Sequence, residues 1–212
     1  PERFSVEKQT LMRALGAEVI NTPSEDGMPR AIERAHELAE ELDNAAVPQQ
    51  FSNPLNAEAH YETTAPEIYD ALDGEVGALV AGCGTAGTLM GLARYGREQH
   101  GDTHVAAVEP EGSLYGTLLG EEREEGEYKT EGIGTHDTST NELFEPDLVD
   151  EVHAVPDEES HAEVQRLAAE EGHLVASSSG ANAIAAKQVA ERIADGEIDA
   201  PYDAGGTVFP DS

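Results

Sequence analysis

Segments with helical periodicity alternate with short apolar runs along most of the chain. Apolar residues that recur every three or four positions predict helices at 5–15, 28–42, 56–72, Gly87 to about Glu98, 158–171 and 181–194. Short apolar or β-branched runs predict strands at 18–22, 47–51, 77–82, 104–110, 151–156, 174–177 and 206–210. Because strands that alternate with helices require crossover connections, the pattern predicts an α/β fold with parallel sheets and flanking helices.

Residue types at the ends of these segments support several boundaries. Ser5 is predicted to cap the first helix and Gly16 to end it. Asp157 is predicted to cap the helix that follows it. The run GALVAG at 77–82 contains no polar residue, which is typical of a strand covered on both faces. The stretch 111–147 is rich in Gly, Glu and Thr and is predicted to be irregular.

Charge excludes whole classes of partner. The chain has 12 Lys and Arg against 44 Asp and Glu, a formal net charge of −32. Nucleic acids and anionic membranes are excluded as partners, because both require a basic patch. An acidic surface poor in lysine is typical of halophilic proteins, for which 1 M salt screens charges within about 3 Å. No apolar run approaches the roughly 18 residues of a membrane-spanning helix, so a cytoplasmic location is expected.

Cysteine and histidine give no indication of metal or thiol chemistry. Cys83 is the single cysteine, which excludes an intramolecular disulfide, and we interpret it as a small buried residue. The histidines show no H-E-x-x-H or comparable ligand spacing, so no metal site is predicted. We interpret His60, His153 and His173 as surface or satisfied core residues rather than catalysts.

The strongest local signal for function is the sequence AGCGTAGTLMG at 81–91. It follows a predicted buried strand and opens a predicted helix, so backbone N–H groups and the helix dipole converge there and favour a phosphate. Thr85 and Thr88 add hydroxyl donors. The same loop also fits a dinucleotide fingerprint, which consists of Gly82, Gly84 and Gly87, with Glu109 as the acidic ribose ligand. A tight turn without any ligand is a third interpretation.

A second turn, SSSGAN at 177–182, also joins a predicted strand to a predicted helix. It lacks the G-x-S-x-G pattern of a nucleophile elbow. Its serines are either helix caps or functional groups, and the turn by itself does not distinguish these. The glycine pair Gly132 and Gly134 indicates a bend.

The stretches that carry a family resemblance run from one end of the chain to the other. They are PERFSVEKQTLMRALGAEVINT, QQFSNPLNAEAHYETTAPEI, the loop at 81–91, EGIG, LVDEVHAVPDEES, EEGHLVASSSGANAIAA and FPDS. With these motifs the chain resembles the cysteine synthase and cystathionine β-synthase family of pyridoxal-phosphate enzymes. The resemblance implies part of the tryptophan-synthase-β-like fold, with 1–51 in a smaller domain and 52–212 in a larger cofactor-binding domain.

The resemblance also implies a role for individual residues. The cofactor's phosphate would be held by Gly84, Thr85, Ala86, Gly87 and Thr88, where the family commonly has glycine in place of Ala86. Ser178 would hydrogen-bond the pyridine nitrogen, and Gly132 would lie near the cofactor. Gln50 would help to position the substrate carboxylate. Phe4 stands where a methionine is common. Family members are commonly homodimers.

The family's Schiff-base lysine and its serine- and threonine-rich substrate loop are expected upstream of Pro1. None of Lys8, Lys129 and Lys187 lies in the family's lysine motif, so no catalytic residue is assigned, and these 212 residues alone are expected not to catalyse cysteine synthesis. The resemblance implies a β-replacement reaction between an activated serine and sulfide. A nicotinamide-dependent oxidoreductase and a non-catalytic relative that only binds phosphate stay open as alternatives.

Overall fold

The computed structural model describes residues 1–2 and 5–210, so Phe4 lies outside the described residues. The chain divides into two compact units, Pro1–Gln49 and Gln50–Ser212. Within the described part, no helix is both long and apolar enough to cross a membrane.

In its described residues, the smaller unit contains the helices α1 (Val6–Ala14) and α2 (Gly27–Glu41), with a 3₁₀ turn at Ser24–Asp26. Ser5 caps α1 as predicted, since its hydroxyl accepts a bond from the Lys8 N–H at 3.3 Å. The predicted strand at 18–22 is wrong. Thr22 accepts one backbone bond from Glu2 at 3.0 Å, but the described residues of this unit offer no second strand that would extend it into a ladder.

As far as residue 210, where the described part of the chain ends, the larger unit is built on four parallel strands: β1 (Ala78–Gly82), β2 (His104–Pro110), β3 (Glu151–Val155) and β4 (Gly205–Thr207). Their order in the sheet is β3-β2-β1-β4. All three pairings are parallel, so the predicted α/β class is confirmed. The order places the two most apolar strands, β1 and β2, at the centre.

Both faces of the sheet are covered, as the apolar sequence of β1 predicts. Leu79 and Ala81 belong to the core on one face, and Ala78 and Val80 belong to the core on the other. This alternation follows from the two-residue repeat of a strand. Small side chains such as Ala78 and Ala81 form part of the core on both faces of the sheet.

Helices of the larger unit are α3 (Leu55–Ala59), α4 (Ala65–Ala71), α5 (Gly87–Gln99), α6 (Asp157–Arg166) and α7 (Ser177–Ala194). A π-helical turn at His60–Thr64 joins α3 to α4, and another at Leu167–Glu171 follows α6. Short 3₁₀ turns lie at Tyr115–Leu119, Thr138–Thr140 and Pro146–Leu148. The predicted helix at 56–72 is thus helical as far as Ala71, although one of its turns is wider than an α-helical turn.

Four further details of the sequence prediction are wrong. Residues 174–177 are not a strand, because α7 already begins at Ser177. Residues 47–51 are not a strand either, and Gln49 has a φ of 57°, which breaks an extended chain. The last strand ends at Thr207 rather than at residue 210. Asp157 is the first residue of α6 and not its cap.

The Asp157 carboxylate instead holds the irregular segment that precedes β3. It accepts bonds from the backbone N–H groups of Lys129 (2.6 Å) and Thr130 (2.9 Å) and from the Thr130 hydroxyl (2.6 Å). Burial opposes ionisation of this carboxyl, but the Thr130 hydroxyl and the two N–H donors outweigh burial and lower its pKa.

Candidate functional site

The loop between β1 and α5 presents a row of backbone N–H groups without protein partners. In the described part of the chain, the N–H groups of residues 84–89 donate to no protein acceptor. Ala86 stands in the left-handed conformation with a φ of 68°, directly before the first turn of α5. Unpaired N–H groups at the start of a helix, reinforced by its dipole, form an anion site.

Close contacts explain why glycine stands at positions 84 and 87. A β-carbon on Gly84 would overlap the carbonyl oxygen of Gly132. A β-carbon on Gly87 would overlap the side-chain amide of Asn56, whose Nδ2 would lie only 2.6 Å away. The absence of both side chains lets two other segments of the chain approach the loop.

Two side chains from the irregular segment hold the carbonyl of Gly84. It accepts bonds from the Tyr115 hydroxyl (2.6 Å) and from the Asn141 Nδ2 (3.2 Å), and Asn141 also contacts the Tyr115 hydroxyl. In a trans peptide the C=O and the next N–H point in opposite directions. The two bonds to the Gly84 carbonyl therefore orient the Thr85 N–H away from Tyr115. Burial raises the pKa of Tyr115 and keeps its hydroxyl protonated as a donor.

Asn56 links the loop to Gln50. Its Nδ2 donates to the Thr85 Oγ1 at 3.0 Å and to the backbone carbonyl of Gln50 at 2.8 Å. Gln50 itself is exposed to solvent. The structure therefore brings together the predicted residues Gln50 and Thr85.

His60 contacts the first turn of α5. Its Nε2 lies 3.0 Å from the Thr88 Oγ1, and its Nδ1 lies 2.9 Å from the Thr64 Oγ1. Burial lowers the pKa of His60, which favours the neutral ring. Both ring nitrogens of His60 have partners, as predicted for a satisfied residue, but its contact with the predicted site residue Thr88 was not predicted.

Ser178 lies in the first turn of α7, and 3% of its surface is exposed. In the part of the chain that the structure describes, its hydroxyl has no hydrogen-bond partner, whereas the Ser179 hydroxyl donates to the Pro210 carbonyl at 2.7 Å. Asn182 stands four residues later on the same face of the helix. Its Oδ1 lies 3.0 Å from the place of a β-carbon on Gly82, so this face of α7 adjoins the carboxyl end of β1.

Gly132 approaches the loop through its own backbone and has a φ of 88°. The neighbouring residues fix this segment, since Ile133 packs against Gly82 and the Gly134 N–H donates to the Cys83 carbonyl at 2.7 Å. The predicted bend is therefore confirmed, and it places Gly132 beside Gly84.

Glu109 does not face a ligand site, which contradicts its predicted role as a ribose ligand. The carboxylate is fully buried and accepts bonds from the N–H groups of Tyr115 (2.7 Å) and Gly116 (3.1 Å) and from the Arg123 Nε (2.9 Å). Both of its oxygens are thus used within the fold. The dinucleotide interpretation is therefore not supported, because Glu109, the acidic ribose ligand that distinguished it from a phosphate loop, is not available to a ligand.

Cys83 is fully buried, as predicted, and burial raises the pKa of its thiol. Lys187 is exposed on α7, and Lys129 is exposed in the irregular segment before β3. Within the described residues, no group of three or more His, Cys, Asp or Glu side chains is arranged to hold a metal ion.

Four contributors to the geometry around the loop were not predicted as site residues: Asn56, His60, Tyr115 and Asn141. Asn56 and His60 lie within the stretch QFSNPLNAEAHYETT, which carried the family resemblance, so a signal was present there. Tyr115 and Asn141 lie in the irregular segment, where no periodic pattern marks them.

Comparison with known proteins identifies the family of the chain. The family described as "Pyridoxal-phosphate dependent enzyme" matches residues 1–200. A cysteine synthase of Helicobacter pylori is 42% identical over all of this chain. An O-acetylserine dependent cystathionine beta-synthase of Bacillus subtilis is 40% identical, also over all of this chain. The chain spans 65% of the length of each of these two relatives.

Solved structures give the same result. The crystal structure of the O-acetylserine dependent cystathionine beta-synthase from Helicobacter pylori matches all of this chain and 65% of its own, with a TM-score of 0.84 at 40% identity. An O-acetyl serine sulfhydrylase isoform from Entamoeba histolytica matches all of this chain and 60% of its own, with a TM-score of 0.82 at 30% identity. The chain belongs to the family of pyridoxal-phosphate-dependent enzymes.

Proposed function

We propose that the chain forms the phosphate-binding part of a β-replacement enzyme of the cysteine synthase type. Such an enzyme joins sulfide to an activated serine, for example O-acetylserine. The row of unpaired N–H groups at residues 84–89 is the observation that carries the proposal, because it suits a phosphate and occurs in a chain of this family. When bound, pyridoxal phosphate supplies an electron sink for bond breaking at the α- and β-carbons of an amino acid.

The phosphate is assigned to Gly84, Thr85, Ala86, Gly87 and Thr88. Their N–H groups donate to its oxygens, and the hydroxyls of Thr85 and Thr88 add further donors. The Gly84 carbonyl is already taken by Tyr115 and Asn141. The loop is therefore preorganised to present donors to an anion.

Ser178 is assigned to the pyridine nitrogen. Its hydroxyl is an unpaired polar group on a nearly buried residue, and it lies on the face of α7 that adjoins the end of β1. A neutral hydroxyl leaves the ring nitrogen largely unprotonated and so weakens the electron sink. That choice favours elimination at the β-carbon over transamination.

Gln50 and Gly132 are assigned to the rim of the site. The exposed Gln50 is available to donate to the carboxylate of an amino acid substrate, and Asn56 fixes its backbone. Gly132 lies beside Gly84 and limits the space next to the cofactor. The division into a smaller domain at 1–51 and a larger one at 52–212 accompanies this assignment.

Relatives favour two acceptors for the activated serine. One relative is described as a cysteine synthase and another as an O-acetylserine dependent cystathionine beta-synthase, at 42% and 40% identity. Sulfide is our first candidate, and homocysteine is the second.

The family likeness also leads us to propose a homodimer in the cytoplasm. The charge of −32 leads us to propose adaptation to molar salt.

The test uses the natural protein that contains this chain, supplied with pyridoxal phosphate and O-acetylserine. Sulfide and homocysteine are offered in separate reactions, and cysteine and cystathionine are measured by mass spectrometry. We expect cofactor-dependent cysteine with sulfide. Formation of cystathionine alone would favour the second candidate. A protein that binds no pyridoxal phosphate and forms neither product would contradict the proposal.

A further inference from the structure

A chain of three side chains leads from the π-helical turn His60–Thr64 to the loop. The Thr64 Oγ1 lies 2.9 Å from the His60 Nδ1, and the His60 Nε2 lies 3.0 Å from the Thr88 Oγ1. Thr88 is the second residue of α5. The loop is therefore connected through His60 to the π-helical turn His60–Thr64, which itself carries none of the predicted phosphate donors.

Close packing holds His60 at this distance. A β-carbon on Gly91 of α5 would lie 2.6 Å from the His60 Cβ and 2.5 Å from the Ala57 carbonyl oxygen, so glycine is required for the approach. His60 also begins the π-helical turn His60–Thr64. Single π-helical turns occur frequently at functional sites.

The hydrogens of this chain can be arranged in two ways. A neutral imidazole has one donor nitrogen and one acceptor nitrogen, and burial lowers the pKa of His60. If Nδ1 carries the hydrogen, Nε2 accepts the Thr88 hydroxyl hydrogen, and Thr88 has none to offer to the loop. If Nε2 carries the hydrogen, it donates to Thr88, and the Thr88 hydroxyl is free to donate to an anion.

We propose that His60 is a positioning residue that, held by Thr64, directs the Thr88 hydroxyl into the phosphate loop. The proposal rests on the proposed function, because it requires an anion beside Thr88. An anion in the loop selects the arrangement in which Thr64 donates to Nδ1, Nε2 donates to Thr88, and Thr88 donates to the anion. This hydrogen-bonded chain from Thr64 through His60 to Thr88, which we call the relay, contributes to affinity by orienting the Thr88 hydroxyl. His60 does not itself touch the cofactor.

Binding measurements with four variants test the relay. The dissociation constants of pyridoxal phosphate and of inorganic phosphate are measured by titration for the wild type, His60→Leu, His60→Gln, Thr88→Val and the double variant His60→Leu/Thr88→Val. We expect His60→Leu to weaken binding about tenfold, as expected for one hydrogen bond to a charged group. His60→Gln restores most of the affinity, because its amide supplies a donor in place of Nε2.

The double variant separates a relay from simple packing. If His60 acts through Thr88, the double variant binds no more weakly than Thr88→Val alone. If His60 only packs against α5, the two losses multiply and His60→Gln gives no rescue, which would overturn the relay. Thermal midpoints of all variants show whether any change in affinity merely follows a loss of folding.

The tautomer of His60 provides a readout that packing does not move. Two-bond ¹H–¹⁵N spectra of the wild type are compared with and without inorganic phosphate. We expect hydrogen on Nε2 when phosphate is bound, and hydrogen on Nδ1 would overturn the relay. If the wild type binds neither phosphate nor pyridoxal phosphate, both the relay and the proposed function are overturned. If the wild type binds normally but the affinity losses of His60→Leu and Thr88→Val multiply in the double variant, only the relay is overturned.

Discussion

The side-chain amide of Asn56 occupies the space that a β-carbon on Gly87 would need, with Nδ2 2.6 Å from that position. We therefore expect Gly87→Asp to abolish retention of pyridoxal phosphate, because it displaces Asn56 and introduces a negative charge into an anion site. Cofactor absorbance after gel filtration measures retention. Gly126→Asp is the matched control, since a β-carbon there would meet only the Gly112 Cα at 3.4 Å. Retention by Gly87→Asp would contradict the assignment of the loop.

Two adjacent serines of α7 are expected to respond differently to removal of the hydroxyl. Ser178→Ala loses no hydrogen bond within the described residues, so its free energy of unfolding is expected to stay within about 0.5 kcal/mol of the wild type. Ser179→Ala loses the bond to the Pro210 carbonyl and is expected to cost about 1 kcal/mol. Urea unfolding of both variants checks the difference.

With the cofactor bound, Ser178→Ala is expected to alter the absorption spectrum, because the ring nitrogen loses its partner. Ser179→Ala should leave the spectrum unchanged. Equal spectra for the two variants would speak against the role of Ser178.

Glu109→Gln is expected to destabilise the protein strongly. The carboxylate is fully buried and pairs with Arg123, and breaking a buried ion pair costs about 3 kcal/mol or more. The same change at the exposed Glu111 is the control and should cost almost nothing. Chemical denaturation measures both variants. A small effect at Glu109 would show that the fold does not depend on this carboxylate.

Acid is expected to lower the folding stability of the protein, because it protonates the carboxylate of Glu151. Burial raises the pKa of this carboxyl, but hydrogen bonds from His104 (2.8 Å) and Arg192 (2.6 Å), together with the His153 ring 3.2 Å away, outweigh burial and leave the pKa well below its usual range. A lowered pKa in the folded state means stabilisation that is complete above the unfolded pKa, about 4.3 for Glu. This stabilisation is lost as the pH falls through the folded pKa.

The Glu151→Gln variant should therefore be less stable than the wild type at pH 7, and the gap should narrow below about pH 4. Thermal midpoints across this range measure the gap. Glu158→Gln, at an exposed position of α6, should show no such change with pH. A gap at Glu151 that does not depend on pH would contradict the role of its charge.

Salt is expected to stabilise the protein steeply. A net charge of −32 repels itself in dilute buffer, and molar KCl screens that repulsion and also strengthens apolar burial. The denaturation midpoint should rise from dilute buffer to molar KCl, with sucrose of equal osmolality as the comparison that does not screen. A midpoint that is unchanged by KCl would contradict this expectation.

Sequence patterns predicted the centre of the sheet well and its margins poorly. The runs at 77–82 and 104–110 form β1 and β2 because an unbroken apolar stretch has to be buried on both faces. The segments 18–22 and 174–177 have similar residue types but gain no neighbouring strand, and a strand requires a partner. Local periodicity carries no information about which partner the fold provides.

The same limit applies to the candidate site. The glycine loop was visible because its turn, its hydroxyls and the following helix lie in a few consecutive residues. Tyr115 and Asn141 reach the Gly84 carbonyl from 31 and 57 residues away, and no local pattern encodes that contact. Glu109 was misread for the related reason that spacing does not reveal whether a carboxylate points inward.

The bonds from Tyr115 and Asn141 to Gly84 also determine when the loop is complete during folding. A newly made chain that ends before residue 141 contains every residue of the loop, yet it lacks one of the two donors that fix the orientation of the Gly84–Thr85 peptide. Contacts of such long separation in sequence form late, because closing the intervening chain costs entropy first. Affinity for the cofactor thus depends on the folding of an irregular segment, and substitutions that displace Tyr115 or Asn141 will behave as defects in cofactor binding.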